Sequence, residues 1–256
     1  PDGYHLLQSV FALLDWCDTL HFELRSGPQL SREDLLAPLP ADDLCLRAAR
    51  LLQEATGCTQ GAHISVAKVL PAEAGLGGGS SDCASTLLAL NRLWKLGLSR
   101  AQLSAIGLRL GADVPFFLFG HNAWVEGVGE QLSAIDLPPT PLVVAKPAAG
   151  VSTAALFTDP RLCRNTGLVI LAGFLEAGFG FGHNDLQPVA QTLCPPIEDA
   201  VRWLASQGLE ARMTGSGSAV FAPLTKPLDR GAVPEGLLLH TCSTLAEHPL
   251  RSWAEG

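Results

Sequence analysis

The chain has 256 residues, 47% of them hydrophobic and 16% charged, and a net charge of −8. That is enough for one large or two compact domains with real cores, and it excludes a disordered chain. No basic run of five residues occurs, which argues against a nucleic-acid partner; an anionic ligand must be met by local dipoles and backbone N–H groups.

In chain order, residues 9–25 alternate apolar and polar around Val10, Ala12, Leu14 and Leu20, Phe22, Leu24, which predicts one or two strands. Residues 42–56 carry Leu44, Ala48, Leu51, Leu52 and Ala55 at helical spacing, with Gly57 as C-cap. Residues 62–66 read as a strand. A glycine-rich segment from Lys68 to Asp82 follows. It leads into a helix through Leu87, Leu88, Leu90 and Leu93 that ends near Gly97. Ser99 and Gln102 form a capping box for the next helix, which ends at Gly111. Residues 123–126 read as a strand. Pro138, Pro139 and Pro141 then break all pattern and place a domain boundary there, dividing 1–138 from 139–256. Beyond it come a buried strand at Leu142–Ala145, a helix after Ser152 and a helix after Pro195–Pro196, with Pro in its first turn. Residues 211–222 read as a strand, a tight glycine turn and a further strand or helix; Leu237–Thr241 is a last strand. No repeat is present. Mixed elements without regular βαβ alternation predict two α+β domains.

The seven cysteines are scattered and odd in number, with no C-x-x-C pair. They predict reduced thiols in a cytoplasmic protein, without a disulfide framework or zinc site. The longest apolar stretch, Gly167 to Leu175, is too short to span a bilayer, so no membrane partner is expected. No signal peptide is visible.

The strongest chemical signal is Gly75-Leu-Gly-Gly-Gly-Ser-Ser81. Its glycines allow close backbone approach and positive φ. The loop ends where a helix begins, so unpaired N–H groups and the helix dipole point at one spot, an anion site suited to a triphosphate. A plain flexible turn is the alternative reading on pattern alone. The Walker loop is ruled out, because no Lys stands in place. A dinucleotide G-x-G-x-x-G begun at Gly77 would need Gly where Asp82 stands. Gly111-Ala-Asp113-Val-Pro-Phe-Phe117 offers a partly desolvated carboxylate able to accept a hydroxyl proton, although an Asp in such a place more often caps a turn. Gly215-Ser-Gly217 alone reads as a turn. Tyr4 and His5, after the hairpin signal Asp2-Gly3, and His183-Asn-Asp185-Leu are ambiguous between strand or loop residues and binding groups. No His/Glu/Cys set has metal-ligand spacing.

Together these residues resemble the GHMP kinases. Pro71 to Ser81, P-x-x-x-G-L-G-G-G-S-S, is similar to that superfamily's phosphate loop. Met213-Thr-Gly-Ser-Gly-Ser-Ala219 is similar to its C-terminal glycine motif. Asp2 to His5, Lys68 to Asp82, Gly111 to Phe117, and Val151-Ser-Thr-Ala-Ala-Leu-Phe157 with Asn184-Asp-Leu keep family order across nearly the whole chain. They are most similar to the branch acting on a cytidine-diphosphate-linked methylerythritol in non-mevalonate isoprenoid synthesis.

The resemblance implies an N-terminal ATP-binding domain, a ferredoxin-like C-terminal domain, and ATP and Mg²⁺ as cofactors. It implies that Asp113 is the base and that Pro71, Gly75, Leu76, Gly77, Gly78, Gly79, Ser80 and Ser81 hold the phosphates, with Lys68 on the nucleotide side. Tyr4 and Phe157 would sandwich the cytosine of a small substrate carrying a cytidine diphosphate group. His5 would bond the cytosine edge, and Thr153 would stand near the reacting centre. A homoserine- or mevalonate-type kinase and a catalytically dead nucleotide-binding relative are the alternatives. Metal ligands and oligomeric state stay open. Members of the family open on an A-K-[IV]-N strand whose Lys pairs with the catalytic Asp. This sequence starts after it, and low turnover is expected from it without its upstream residues. Cys83 and Ser85 stand where the family more often has small apolar residues.

Overall fold

A computed structural model describes residues 7–254. The chain divides into two compact units. One gathers the described residues up to Leu70, then Gly77–Asp136 and those from Leu245 onward; the other holds Pro71–Leu76 and Leu137–Thr244.

The first unit contains β1 (Ser9–Phe11), β2 (Thr19–Arg25), β3 (Leu30–Asp34), α1 (Leu44–Thr56), β4 (Gly61–Ala67), α2 (Gly78–Leu93), α3 (Arg100–Leu108), α4 (Val114–Phe119), β5 (Ala123–Glu126) and β6 (Gln131–Ala134). One sheet has the order β2-β4-β3, with β2 antiparallel and β3 parallel to the central β4. The other is antiparallel, β1-β5-β6. Alternation decides which face of β4 is covered: Ala62, Ile64 and Val66 all point into a core shared with Ala48 and Leu52 of α1 and Leu87, Leu88 and Leu90 of α2. Cys83 lies in this core, and burial pushes its thiol pKa up to about 12. A smaller apolar cluster joins Leu13, Phe116, Ala123 and Val125.

Helix ends follow local chemistry. Asp43 caps α1 by accepting from Cys45 N at 3.2 Å and Leu46 N at 3.1 Å, and Gly57 closes it at φ 67°. Ser99 and Gln102 form the expected reciprocal capping box on α3. Replacing that Ser99 by Ala is expected to cost about 1 kcal/mol locally. Amide exchange across α3 should accelerate several-fold while that of α1 stays as it is; uniform protection in both helices would show that the box contributes nothing.

The second unit contains β7 (Pro141–Pro147), α5 (Thr153–Thr158), α6 (Leu171–Ala177), α7 (Gln187–Leu193), α8 (Pro195–Ser206), β8 (Arg212–Met213), β9 (Val220–Pro223) and β10 (Leu237–Ser243). Its sheet is antiparallel with order β10-β7-β9-β8, so its four strands lie fourth, first, third, second. That is the split βαβ order of ferredoxin-like sheets. The crossover from β9 to β10 holds a single 3₁₀ turn, Arg230–Ala232. Ile197, Ala200 and Leu204 of α8 pack with Val143, Ala145, Met213, Val220 and Ala222. All seven cysteines are free thiols. Among the described residues no helix is long and apolar enough to cross a membrane.

Candidate active site

In the first unit, the glycine-rich segment delivers the chain into α2. Gly77 is its N-cap at φ 68°, with no side chain capping the helix. A Cβ on Gly77 would stand 2.8 Å from Phe117 Cζ, so both the backbone angle and the space require glycine. The helical ladder starts with Ser81 N donating to Gly77 O at 2.9 Å. The N–H groups of Gly78, Gly79 and Ser80 therefore have no partner within the helix. With the positive end of a 16-residue helix behind them, they form an anion-binding terminus.

Lys68 stands just past β4, where its Nζ donates to Asp18 Oδ2 at 2.5 Å and Asp82 Oδ2 at 2.7 Å. A Cβ on Gly78 would lie 3.1 Å from this ammonium, so its charge sits at the first turn of α2. Burial draws the Lys68 pKa down, but Asp82 and Asp18 outweigh it and hold the ammonium above its ordinary value. Burial pushes the Asp82 carboxyl up to about 6 against the pull of Lys68.

Asp113 occupies the N-cap position of α4, and its side chain makes no capping hydrogen bond. The more common capping role is thus not what the carboxylate does. It is surface-exposed, yet partial desolvation raises its pKa above the ordinary carboxylate value. The preceding turn runs beside α2: a Cβ on Gly111 would stand 3.8 Å from Ser80 Oγ. A carboxylate without a capping bond, on a turn next to an anion-binding helix terminus, can accept a proton from a hydroxyl that attacks a bound phosphoryl group.

In the second unit, Pro71–Leu76 is zipped to the later glycine turn. Ser218 N donates to Glu73 O at 3.2 Å, Ala219 N to Ala74 O at 3.1 Å, and Thr214 Oγ1 to Gly75 O at 3.2 Å. Gly75 has φ 70°, and a Cβ there would meet Thr214 O at 2.3 Å and Gly217 N at 2.8 Å. Gly215-Ser-Gly217, an ordinary turn when read alone, therefore packs against Gly75. Asn184 fixes that turn by donating to Met213 O at 2.9 Å and Gly215 O at 2.8 Å. Thr153, first residue of α5, shares a 3.0 Å hydroxyl contact with Ser216. Phe157 lies on the same helix and is exposed. Tyr4 and His5 lie outside the described residues. Asp18 belongs to no motif; its one sequence signal is an acidic residue immediately before a strand.

Residues 43–121 match the GHMP kinases N terminal domain, and residues 171–237 match the GHMP kinases C terminal domain. A 4-diphosphocytidyl-2-C-methyl-D-erythritol kinase of Paracidovorax citrulli is 59% identical over 99% of this chain and 90% of its own length. One of Acidovorax ebreus is 58% identical over 100% of this chain and 92% of its own. A crystal structure of 4-(cytidine 5'-diphospho)-2C-methyl-D-erythritol kinase superposes with a TM-score of 0.82 at 35% identity, covering 95% of this chain and 91% of that one. Mevalonate kinase of L. major, at TM-score 0.70 and 17% identity, with coverage of 96% and 95%, shares the fold. The chain belongs to the GHMP kinases, in the family of 4-diphosphocytidyl-2-C-methyl-D-erythritol kinases.

Proposed function

We propose that this chain transfers the γ-phosphoryl group of ATP to the 2-hydroxyl of 4-diphosphocytidyl-2-C-methyl-D-erythritol. One observation carries the chemistry: Asp113, which makes no capping bond, lies on a turn beside the N-terminus of α2. Phosphoryl transfer leaves the protein little covalent work, so positioning and charge stabilisation dominate. The N–H groups of Gly78, Gly79 and Ser80 hold the phosphates, and Lys68 adds a cation at their edge. Asp113 takes the proton of the attacking hydroxyl. The glycine cradle suits ATP, because a side chain at Gly75 or Gly77 would collide with its surroundings. Mg²⁺ would accompany the triphosphate and supply charge neutralisation there. Ions of this kind need few protein ligands, and no cage of three or more His, Cys, Asp or Glu side chains exists among the described residues. Resemblance to the family motifs supports Tyr4, His5 and Phe157 as cytosine-binding residues and Thr153 as a substrate-binding one. Seven free thiols support a cytoplasmic location.

The reading is tested by ADP release with three alcohols: the cytidine-linked methylerythritol, homoserine and mevalonate. Turnover with the first alone is expected. Turnover with another alcohol would move the chain to a different GHMP activity, and nucleotide binding without any turnover, in an enzyme that includes the A-K-[IV]-N strand, would make it a dead relative.

Base selection gives a second expected result. Stacking on aromatic rings discriminates little between bases. Hydrogen bonds to the base edge must therefore do the selecting, because mismatched buried polar groups are penalised. Cytidine diphosphate should raise the melting temperature well above the effect of uridine diphosphate. Equal shifts would remove the cytosine pocket.

A further inference from the structure

We propose that Asp18 and Asp82 are positioning residues for nucleotide binding, and that they act by holding the Lys68 ammonium at the first turn of α2. The proposal rests on the ATP-kinase reading above and extends it to the two carboxylates that accept from Lys68.

The arrangement begins with strand register. β2 pairs antiparallel with β4, and Thr19 lies opposite Ala67. One step further along each strand brings Asp18 opposite Lys68. The Asp18 side chain is fully buried. Its Oδ1 accepts from Val69 N at 2.5 Å and Leu70 N at 2.8 Å, while its Oδ2 accepts from Lys68 Nζ at 2.5 Å. A single carboxylate thus grips three consecutive residues immediately before Pro71 opens the glycine-rich segment. Asp82, on α2, takes the other side of the ammonium at 2.7 Å. Lys68 is therefore held from a strand edge and from a helix at once.

That grip has a functional consequence. A lysine ammonium is a point charge on four rotatable bonds, and free side chains lose that mobility on meeting a ligand. Here the ordering is complete beforehand, so the cation is already beside Gly78 when an anion arrives. Charge-assisted hydrogen bonds are the strong ones, and a buried carboxylate is tolerable only when its lone pairs are used. Asp18 meets that condition with three donors.

Asp18→Asn separates the two jobs of the residue. Its amide oxygen still accepts from Val69 and Leu70, but it no longer carries the charge that fixes Lys68. The probe is AMP-PNP, a non-hydrolysable ATP analogue, with affinity measured by calorimetry on the full chain. Asp18→Asn and Asp82→Asn should each weaken AMP-PNP binding by about tenfold or more, the range for losing a hydrogen bond to a charged group. The loss should fall on the KM for ATP more than on kcat. Lys68→Met should do the same, and Asp82→Asn combined with Lys68→Met should bind no more weakly than Lys68→Met alone, because all act through one ammonium. Wild-type affinity in both Asn variants, or additive losses in the double variant, overturns the proposal. If Asp18→Asn does not fold, the Asp82 and Lys68 variants decide it on the same criteria. Failure of the wild-type chain to bind AMP-PNP would instead strike the kinase reading itself.

Discussion

Asp113→Asn is expected to lower kcat by about 10²–10⁴-fold, the usual cost of losing a general base, while changing the KM for ATP little. The asymmetry follows from what the residue touches. Its side chain does not cap α4, and the first turn of α2 keeps its own N–H groups whatever stands at position 113. Asparagine matches aspartate in shape, so α4 and the packing of Val114 against Gly107 should survive. The pH profile gives an independent readout. Partial desolvation raises the Asp113 pKa, and a base works only when deprotonated. kcat/KM should therefore fall as pH drops through a value raised above that of an ordinary aspartate, and Asp113→Asn should remove that limb. A variant within about threefold of wild type would take the base assignment away.

Much of this architecture can be read from local chemistry. The capping box at Ser99, the left-handed Gly57 and the alternation of β4 each depend on residues within a few positions of one another. What escapes such reading depends on partners far along the chain. β3, Leu30–Asp34, has four polar or charged residues in five and no apolar alternation to mark it. It is a strand because β4 offers it a parallel edge and because Arg32 is neutralised by Asp34 at 2.7 Å and Asp43 at 2.6 Å. α6 and α7 have seven residues each, too short for helical periodicity to stand out. In the site, Gly75 to Ser81 and Asp113 are visible because glycine runs and apolar-flanked carboxylates are rare enough to notice. Asp18 is not, because its meaning comes from Lys68, Val69 and Leu70, about 50 residues downstream. A linear division at residue 138 likewise cannot show that Pro71–Leu76 pairs with Thr214, Ser218 and Ala219.

That pairing makes Gly75→Ala the most damaging single-methyl change available in the glycine-rich segment. Two costs combine. A non-glycine residue at φ 70° pays about 1–2 kcal/mol for the left-handed conformation. The added methyl would then stand 2.3 Å from Thr214 O and 2.8 Å from Gly217 N, which are backbone atoms that no rotamer change can move aside. Forced overpacking of this kind adds about 1–3 kcal/mol. Gly57→Ala is the matched comparison: φ is 67°, and nothing lies within 4 Å of the new methyl, so only the first cost applies. In a chain of this size each kcal/mol lowers Tm by about 2–4 °C. Gly75→Ala should therefore melt on the order of 10 °C below wild type and Gly57→Ala only a few degrees below. Relief of the clash must come from the Gly75 backbone or the Thr214–Gly217 turn, so AMP-PNP binding should weaken in Gly75→Ala and hold in Gly57→Ala. Equal losses of Tm in the two variants would mean that the backbone angle alone matters and that the close approach of the two glycine motifs carries no energy.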